Sequence, residues 1–516
     1  MPVREKFDIF KKDNPLFRDV KEYNKYLLML ISVSILVLTG VISYFVSGSY
    51  ARWNMVVESS NTLKLGVKGA EPNAPELTSN MIPVYYDETN AVWRKADSNN
   101  KNATYKWYDY DNKMWANAVT VTETNRSTYL SANVGTEISM DDINTMWVWI
   151  PRYTYTYLNT NTPQEIKIKF EKETNSTGTI KCTDAVTGSG TTSQTCTDTT
   201  NGSLKAGTST YTHPAFTFGD KELTGLWVGK FESSATTLPT SESTAESTVI
   251  IKPNVQSLGY KKVSYFFRDV RQMEKANNAY GFPQSNSTTF NWNGELTGDT
   301  NNIDIHMMKN TEWGAVTYLY HSKYGRCTSG TCEKLTINNC NNYITGIGAD
   351  TVSASDSSTT CTTDKNKYNG ASGVKASTTE NVYGVYDMSG GLEEYTMGNM
   401  VNPSNQFYSS SAQNWSTTTY PLSKYYDSYT YGRTYDNGSA YSRGRLGDAT
   451  VEMAPTGIEG NWYSANAHFP FSSYSWFLRG SGYNNGLYAG AFDFYGYSGS
   501  ANDYYSFRVS LGVQVP

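Results

Sequence analysis

Residues 26–46, YLLMLISVSILVLTGVISYFV, run for 21 positions without a charged side chain. As a helix rising about 1.5 Å per residue, such a run spans a hydrocarbon core about 30 Å thick. Seven basic residues precede it (Arg4, Lys6, Lys11, Lys12, Arg18, Lys21 and Lys25), and only Arg52 follows closely. Positive flanks stay on the cytoplasmic side, so the asymmetry predicts a basic arm over 1–25 inside the cell and a single-pass anchor over 26–46. Everything after Val46 is then extracellular. SGSYA at 47–51 offers small residues for a signal-peptide cut, but the arm and the apolar run are both longer than such a leader uses.

Cysteine usage agrees with export. Cys182, Cys196, Cys327, Cys332, Cys340 and Cys361 all follow the apolar run, and their number is even. Proximity along the chain suggests the pairs 182–196, 327–332 and 340–361, each stapling a loop rich in Thr, Ser and Gly. Fifteen pairings are formally open. A zinc site is the alternative, but no two cysteines sit at CxxC spacing and the chain has only 4 His.

The 516 residues carry a net charge of −5, so nothing in the charge suggests a nucleic-acid partner. Polarity here comes without charge: 41 Tyr and 41 Gly accompany abundant Ser, Thr and Asn. Tyr and Thr favour strands while Gly and Asn favour turns, which predicts a β-rich body with long loops. Tyr also supplies broad amphipathic contact area at low entropic cost. A β-rich extracellular protein selected only for solubility would share this composition.

Along the chain, IPVYYD (82–87), AVWRKAD (91–97) and YKWYDYDNKMWANAVTV (105–121) alternate aromatic or β-branched residues with polar ones. Residues 47–140 therefore read as a β-rich stalk or small module. Residues 171–210 and 350–380, rich in Thr, Ser and Gly, read as loop insertions. MWVWIPRYTYTY (146–157) and LWVGKFE (226–232) read as buried strands. In VSYFFRDVRQMEKANNAYGF (263–282), Val263, Phe266, Phe267, Val270 and Met273 keep the 3–4 spacing of a core-facing helix ending at Gly281. A second helix is expected within 306–325, capped by Asn310 or Thr311 and ended at Gly325. Two helices among many strands imply an α+β fold.

The order of WVWIPRY (147–153), WVGKFE (227–232), NTEWGAVTYL (310–319), YGVYDMSGGLEEYTMGN (383–399), RGSGYNNG (479–486) and SFRVSL (506–511) resembles the formylglycine-generating-enzyme (sulfatase-modifying-factor) branch of the C-type-lectin fold. The resemblance covers 141–516 and implies that fold for the domain. It does not carry the family's activity with it. Oxidase members use cysteines near the RGG-like segment, and none follows Cys361 here. The related iron enzymes need a histidine triad, whereas His213, His306, His321 and His468 are scattered. The adjacent pair Glu393–Glu394 could suggest acid–base work, but neighbouring residues face different sides, and the family uses this loop structurally. EPN at 71–73 lies outside the fold and lacks the partner motif that calcium-dependent sugar binding requires. No catalytic residue, metal or cofactor is expected, and the chain is not read as an enzyme.

The C-terminus is written in a restricted alphabet. Lys, Glu, Gln, Met and Trp make up 87 of the 516 residues, yet the 37 from Phe477 to Val513 contain none of them. The segment resembles the variable region of target proteins of diversity-generating retroelements, in which template adenines are mutated. Asn codons so treated yield Tyr, Ser, Asp, Gly, Leu, Phe and Ala but never those five types. The resemblance implies a membrane-anchored surface protein presenting a diversified ligand-binding patch to an external protein or glycan. Its expected contact residues are Tyr483, Leu487, Tyr488, Asp493, Tyr495, Tyr497, Ser498, Ser500, Asp503, Tyr504 and Tyr505. Ala489, Gly490, Phe492, Phe494, Phe507 and Val509 are expected to hold the scaffold. An invariant adhesin of the same fold, or an enzyme related to the formylglycine-generating branch, are the competing readings.

Overall fold

A computed structural model of the chain describes residues 71–186, 192–283, 290–296, 303–351, 361, 363–409, 413–415, 419–430, 444–453 and 462–513, with the backbone of 53–57 and 63–67. The basic arm and the expected anchor at 26–46 lie outside the described residues. Among the described residues no helix is long and apolar enough to cross a membrane. The chain divides into two units, 1–71 and 72–516. In the first, β1 (Trp53–Val57) pairs antiparallel with β2 (Leu63–Val67).

The second unit is built on two open sheets, and its few helices make it α+β. The elements of these two sheets and the helices, in chain order, are β3 (Ile82–Asp87), β4 (Val92–Lys95), β5 (Asn117–Val121), α1 (Glu123–Ser131), β6 (Ile143–Pro151), β7 (Gly225–Gly229), α2 (Val263–Arg271), β8 (Ile303–Met307) and α3 (Asn310–Tyr320). There follow β9 (Glu393–Met400), β10 (Asp427–Tyr429), β11 (Trp476–Gly480), β12 (Gly490–Tyr497), β13 (Tyr505–Phe507) and β14 (Val509–Val513). The first sheet is antiparallel in the order β8-β14-β7-β6-β5-β3-β4. β6 is apolar at consecutive positions because both its faces are covered, and Met146 to Ile150 are all buried.

That sheet removes the boundary expected at residue 140. β3, β4 and β5 continue the ladder of β6, with Val119 opposite Met146, so they belong to the main unit and form no stalk. The rings of Trp107 and Trp149 both pack on Trp227, at 6.3 and 5.2 Å. Burial of so many large rings supplies the dominant favourable term for folding here.

The second sheet places β9 at its centre. β10 and β13 pair with it in parallel, β11 antiparallel, and β12 adds to β11. One residue after β13 the chain enters β14 of the first sheet, so Arg508 sits at the crossover. Its Nε donates to Glu394 Oε2 (3.0 Å), Nη1 to the Gly229 carbonyl (2.9 Å) and Nη2 to that of Tyr386 (2.9 Å). The buried pair thus bolts GGLEEY to SFRV across both sheets.

Helix α3 is wholly buried. Its start is capped twice: the Glu312 carboxylate accepts the Lys309 N–H (2.8 Å), and Asp427 accepts that of Thr311 (2.7 Å). A side chain at Gly314 would meet the Gly447 carbonyl at 1.9 Å, so the close packing requires glycine there. His306, expected near this helix, lies in β8. Helix α2 stops well before Gly281. After a short 3-10 turn (Gln272–Glu274), Lys275 is extended and Asn277 takes a left-handed conformation. The Asn278 side chain then accepts the N–H groups of Tyr280 and Phe282.

The three disulfides are Cys182–Cys196, Cys327–Cys332 and Cys340–Cys361, as proximity suggested. The first closes a hairpin, Ile180–Val186 with Thr192–Asp198, inside the expected insertion.

Candidate functional site

The restricted C-terminal segment forms β11 to β14 and the loops between them. β11 is buried throughout, with Trp476, Phe477 and Leu478 in the core. The scaffold residues Ala489, Gly490, Phe492, Phe494, Phe507 and Val509 are all buried. Phe507 stacks on Phe266 of α2 at 4.6 Å, and Phe492 packs on Trp462 at 5.0 Å.

The expected contact residues divide by exposure. Leu487 (43%), Tyr488 (52%) and Tyr504 (43%) stand clear of the surface. Tyr483, Tyr495, Tyr497, Ser498, Ser500, Asp503 and Tyr505 are half-buried. Asp493 corrects the expectation, because it is buried. Simple alternation fails there: Arg479 pairs with Phe494 but Gly480 with Gly490, so 491–493 bulge from the ladder. Segment 466–468 covers the far edge of β12, its backbone bonded to Phe494. Burial raises the Asp493 carboxyl well above the usual carboxylate range, and the nearby Glu393 adds to this.

The exposed and half-buried tyrosines form two groups. Tyr483 and Tyr504 lie with parallel rings, centroids 6.3 Å apart. Tyr343 stands against both, at 5.3 and 6.4 Å and close to perpendicular. Tyr505 turns to the other side of the strand, where it meets Tyr497 at 4.7 Å and Tyr395 at 5.2 Å. Tyr474 extends this second group by stacking on Tyr497 at 5.1 Å. The candidate residues thus do not share a single face: consecutive Tyr504 and Tyr505 feed different clusters.

The backbone beneath is pinned by groups outside the segment. Lys334 Nζ donates to the Leu487 carbonyl, Tyr483 N–H to the Gly391 carbonyl (2.8 Å) and Gln413 Nε2 to the Ser498 carbonyl (2.6 Å). The Asp503 carboxylate has no hydrogen-bond or ion-pair partner among the described residues; burial raises the hydroxyl pKa of both Tyr343 and Tyr483, and the Asp503 charge adds to the rise.

Tyr343 is a member of this surface that sequence reasoning missed. It comes from the loop closed by Cys340–Cys361 and holds a left-handed backbone, φ 57°, fixed by bonds from its N–H to the Cys340 carbonyl and from Ser257 N–H to its own carbonyl. A non-glycine residue in that region carries a cost of order 1–3 kcal/mol. Its φ gives a tyrosine no advantage, so no local signal marks it.

Glu393 and Glu394 do face apart. Glu394 pairs with Arg508, while Glu393 lies under the tyrosine surface, where burial alone pushes its carboxyl up to about 7. His306 Nε2 bonds Glu312 at 2.8 Å, and His321 Nε2 bonds the Tyr463 hydroxyl at 2.8 Å. The His/Cys/Asp/Glu cluster compact enough for a metal, among the described residues, is His321 with Cys327 and Cys332. Its two sulfurs are joined to each other, so they offer no thiolate. Asn73 of the EPN triplet fixes backbone instead, donating to the carbonyls of Glu173 and Thr224, both at 2.9 Å.

Compared with known proteins, the chain matches no family model and no curated sequence.

Proposed function

We propose that this protein is a membrane-anchored surface receptor or adhesin, in which a C-type-lectin-like domain presents a diversified binding patch on residues 477–513. One observation carries the reading. Of five large hydrophobic side chains that stand exposed among the described residues, three, Leu487, Tyr488 and Tyr504, fall in the segment that lacks Lys, Glu, Gln, Met and Trp. Exposed apolar and aromatic groups concentrated on a rigid framework are what a contact surface needs. The Tyr, Ser, Asp and Gly content gives it the chemistry of an antibody paratope, suited to a protein or glycan outside the cell. Residues 26–46 would hold the domain to the membrane.

The invariant adhesin is the second reading, and the packing of Tyr497 and Tyr505 against Tyr395 and Tyr474 favours it. Sequencing the DNA beside the gene separates the two. Retroelement diversification requires a near-copy of the 477–513 coding stretch, with Asn codons at the Tyr, Ser and Asp positions, and a reverse-transcriptase gene nearby. A locus with neither leaves the invariant adhesin. Protease added to intact cells tests the anchor: it should remove the domain and leave a short N-terminal stub.

A further inference from the structure

Away from the tyrosine surface, the end of α3 meets a short hairpin in which Cys327–Thr328 pairs with Thr331–Cys332. His321, the residue after α3, has a ring nitrogen within 4.8 Å of both sulfurs of that hairpin. Four residues separate the two cysteines, a spacing found in zinc-binding pairs. Tetrahedral zinc, with bonds of about 2.0–2.3 Å to nitrogen and sulfur, sets its ligand atoms about 3.5–3.8 Å apart. The fold has therefore already gathered three such atoms, and only the bond between the sulfurs withholds their charge.

His321 is oriented as a ligand would be. Its Nδ1 lies 3.1 Å from the Gln164 carbonyl, which can only accept, so Nδ1 carries the proton and Nε2 keeps its lone pair. Nε2 meets the Tyr463 hydroxyl at 2.8 Å, and that hydroxyl also reaches the Cys332 carbonyl at 3.1 Å. Nε2 is thus the nitrogen turned towards the disulfide. Metal-binding imidazoles are held in this way, with the far N–H on a carbonyl. Burial keeps the ring neutral, its pKa pushed down to about 3, and the rings of Trp462 and Phe492 fix its plane at 4.7 and 5.3 Å. The sulfurs are within reach of a reductant, because Cys332 is half-buried and the hairpin tip at Ser329 and Gly330 is exposed.

We propose that Cys327, Cys332 and His321 form a zinc site that is created when their disulfide is reduced. A dithiol supplies the electrons. Its thiolate attacks Cys332 Sγ, the bond between the cysteines breaks and Cys327 leaves as a thiolate. The second thiol of the reductant then displaces Cys332. The dithiol ends as a disulfide, and two electrons and two protons pass to the cysteines. Zinc binds both sulfurs as thiolates, releases those protons, takes His321 Nε2 as its third ligand and leaves the fourth position to water. The soft sulfur and imidazole donors favour zinc over magnesium or calcium. Because the hairpin keeps the cysteines opposite one another, the metal replaces one staple with another.

The test titrates the full chain with cobalt(II), a coloured stand-in for zinc, with and without prior reduction by tris(2-carboxyethyl)phosphine. The reduced protein should show thiolate-to-cobalt charge transfer and the intense visible bands of a tetrahedral site, both bleached by zinc. The oxidised protein should show neither. Cys327→Ser combined with Cys332→Ser should abolish the bands, although the pairs Cys182–Cys196 and Cys340–Cys361 are reduced as well. His321→Gln should weaken cobalt binding by roughly tenfold or more, since loss of even an outer-shell partner costs about 10–100-fold. Should that variant fail to fold, the double serine variant still decides the matter. No bands in the reduced wild type, equal bands in the double serine variant, or equal uptake by the oxidised protein overturns the proposal. A folded His321→Gln with unchanged affinity overturns it too.

Discussion

The ring of Tyr343 meets that of Tyr483 at 5.3 Å and 70°, joining the loop closed by Cys340–Cys361 to the C-terminal segment. An edge-to-face pair of this kind contributes about 0.5–1.5 kcal/mol beyond its buried area. A double-mutant cycle with Tyr343→Ala and Tyr483→Ala, read by urea unfolding, should give a coupling in that range. A coupling of zero would detach the loop from the surface.

The division between scaffold and display is open to a direct stability comparison. Leu487→Ser, Tyr488→Ser and Tyr504→Ser combined should leave the melting temperature close to wild type, because exposed substitutions stay within about 0.5 kcal/mol each. Tyr497→Ser or Tyr505→Ser should cost about 1–3 kcal/mol, since each loses ring contacts on a half-buried site. Phe492→Ala or Phe494→Ala should cost about 3–5 kcal/mol. Equal losses across the three groups would erase the distinction.

Arg508 and Glu394 form a buried pair whose remaining donors serve the carbonyls of Gly229 and Tyr386. Removing one member strands the other, so Arg508→Met or Glu394→Gln alone should destabilise by about 3–5 kcal/mol in thermal or denaturant unfolding. A loss under 1 kcal/mol would show that the crossover is held by packing instead.

Glu393 predicts a pH dependence. Its carboxyl is raised from 4.5 to about 7 by burial, so between those values the native state keeps a proton that the unfolded chain has lost. The contribution is fully present below pH 4.5 and is lost as pH rises through 7. The fall is at most about 3 kcal/mol, less where water screens the half-buried group. Glu393→Gln should flatten this part of the stability profile, measured as melting temperature against pH. An unchanged slope in the variant would mean that Glu393 titrates normally.

Much of the framework was legible because its signals are local. The apolar run of β6 and the neighbouring cysteines each lie within a few residues of one another, whereas α3 is capped at Lys309, not at Asn310 or Thr311, and in part by the distant Asp427. The inward Phe492, Phe494 and Phe507 followed from alternation. What was not legible depends on partners far away in the chain. Helix α1 buries none of its residues and so carries no apolar stripe to read. Asp493 escaped because a bulge breaks the period of β12, and the stalk reading failed because the β5–β6 ladder has no sequence signature of its own. The left-handed Tyr343 becomes visible only once the loops around it are in place.

We propose that residues 477–513 vary on a scaffold that does not. Amplicon sequencing of the 3′ end of this gene across many cells of one population measures it directly. Substitutions should concentrate at exposed and half-buried positions such as Tyr483, Leu487, Tyr488 and Tyr504, drawn from residues other than Lys, Glu, Gln, Met and Trp. The codons of Phe492, Phe494, Phe507 and Arg508 should be constant. A single invariant sequence, or variation spread evenly through the domain, would contradict it.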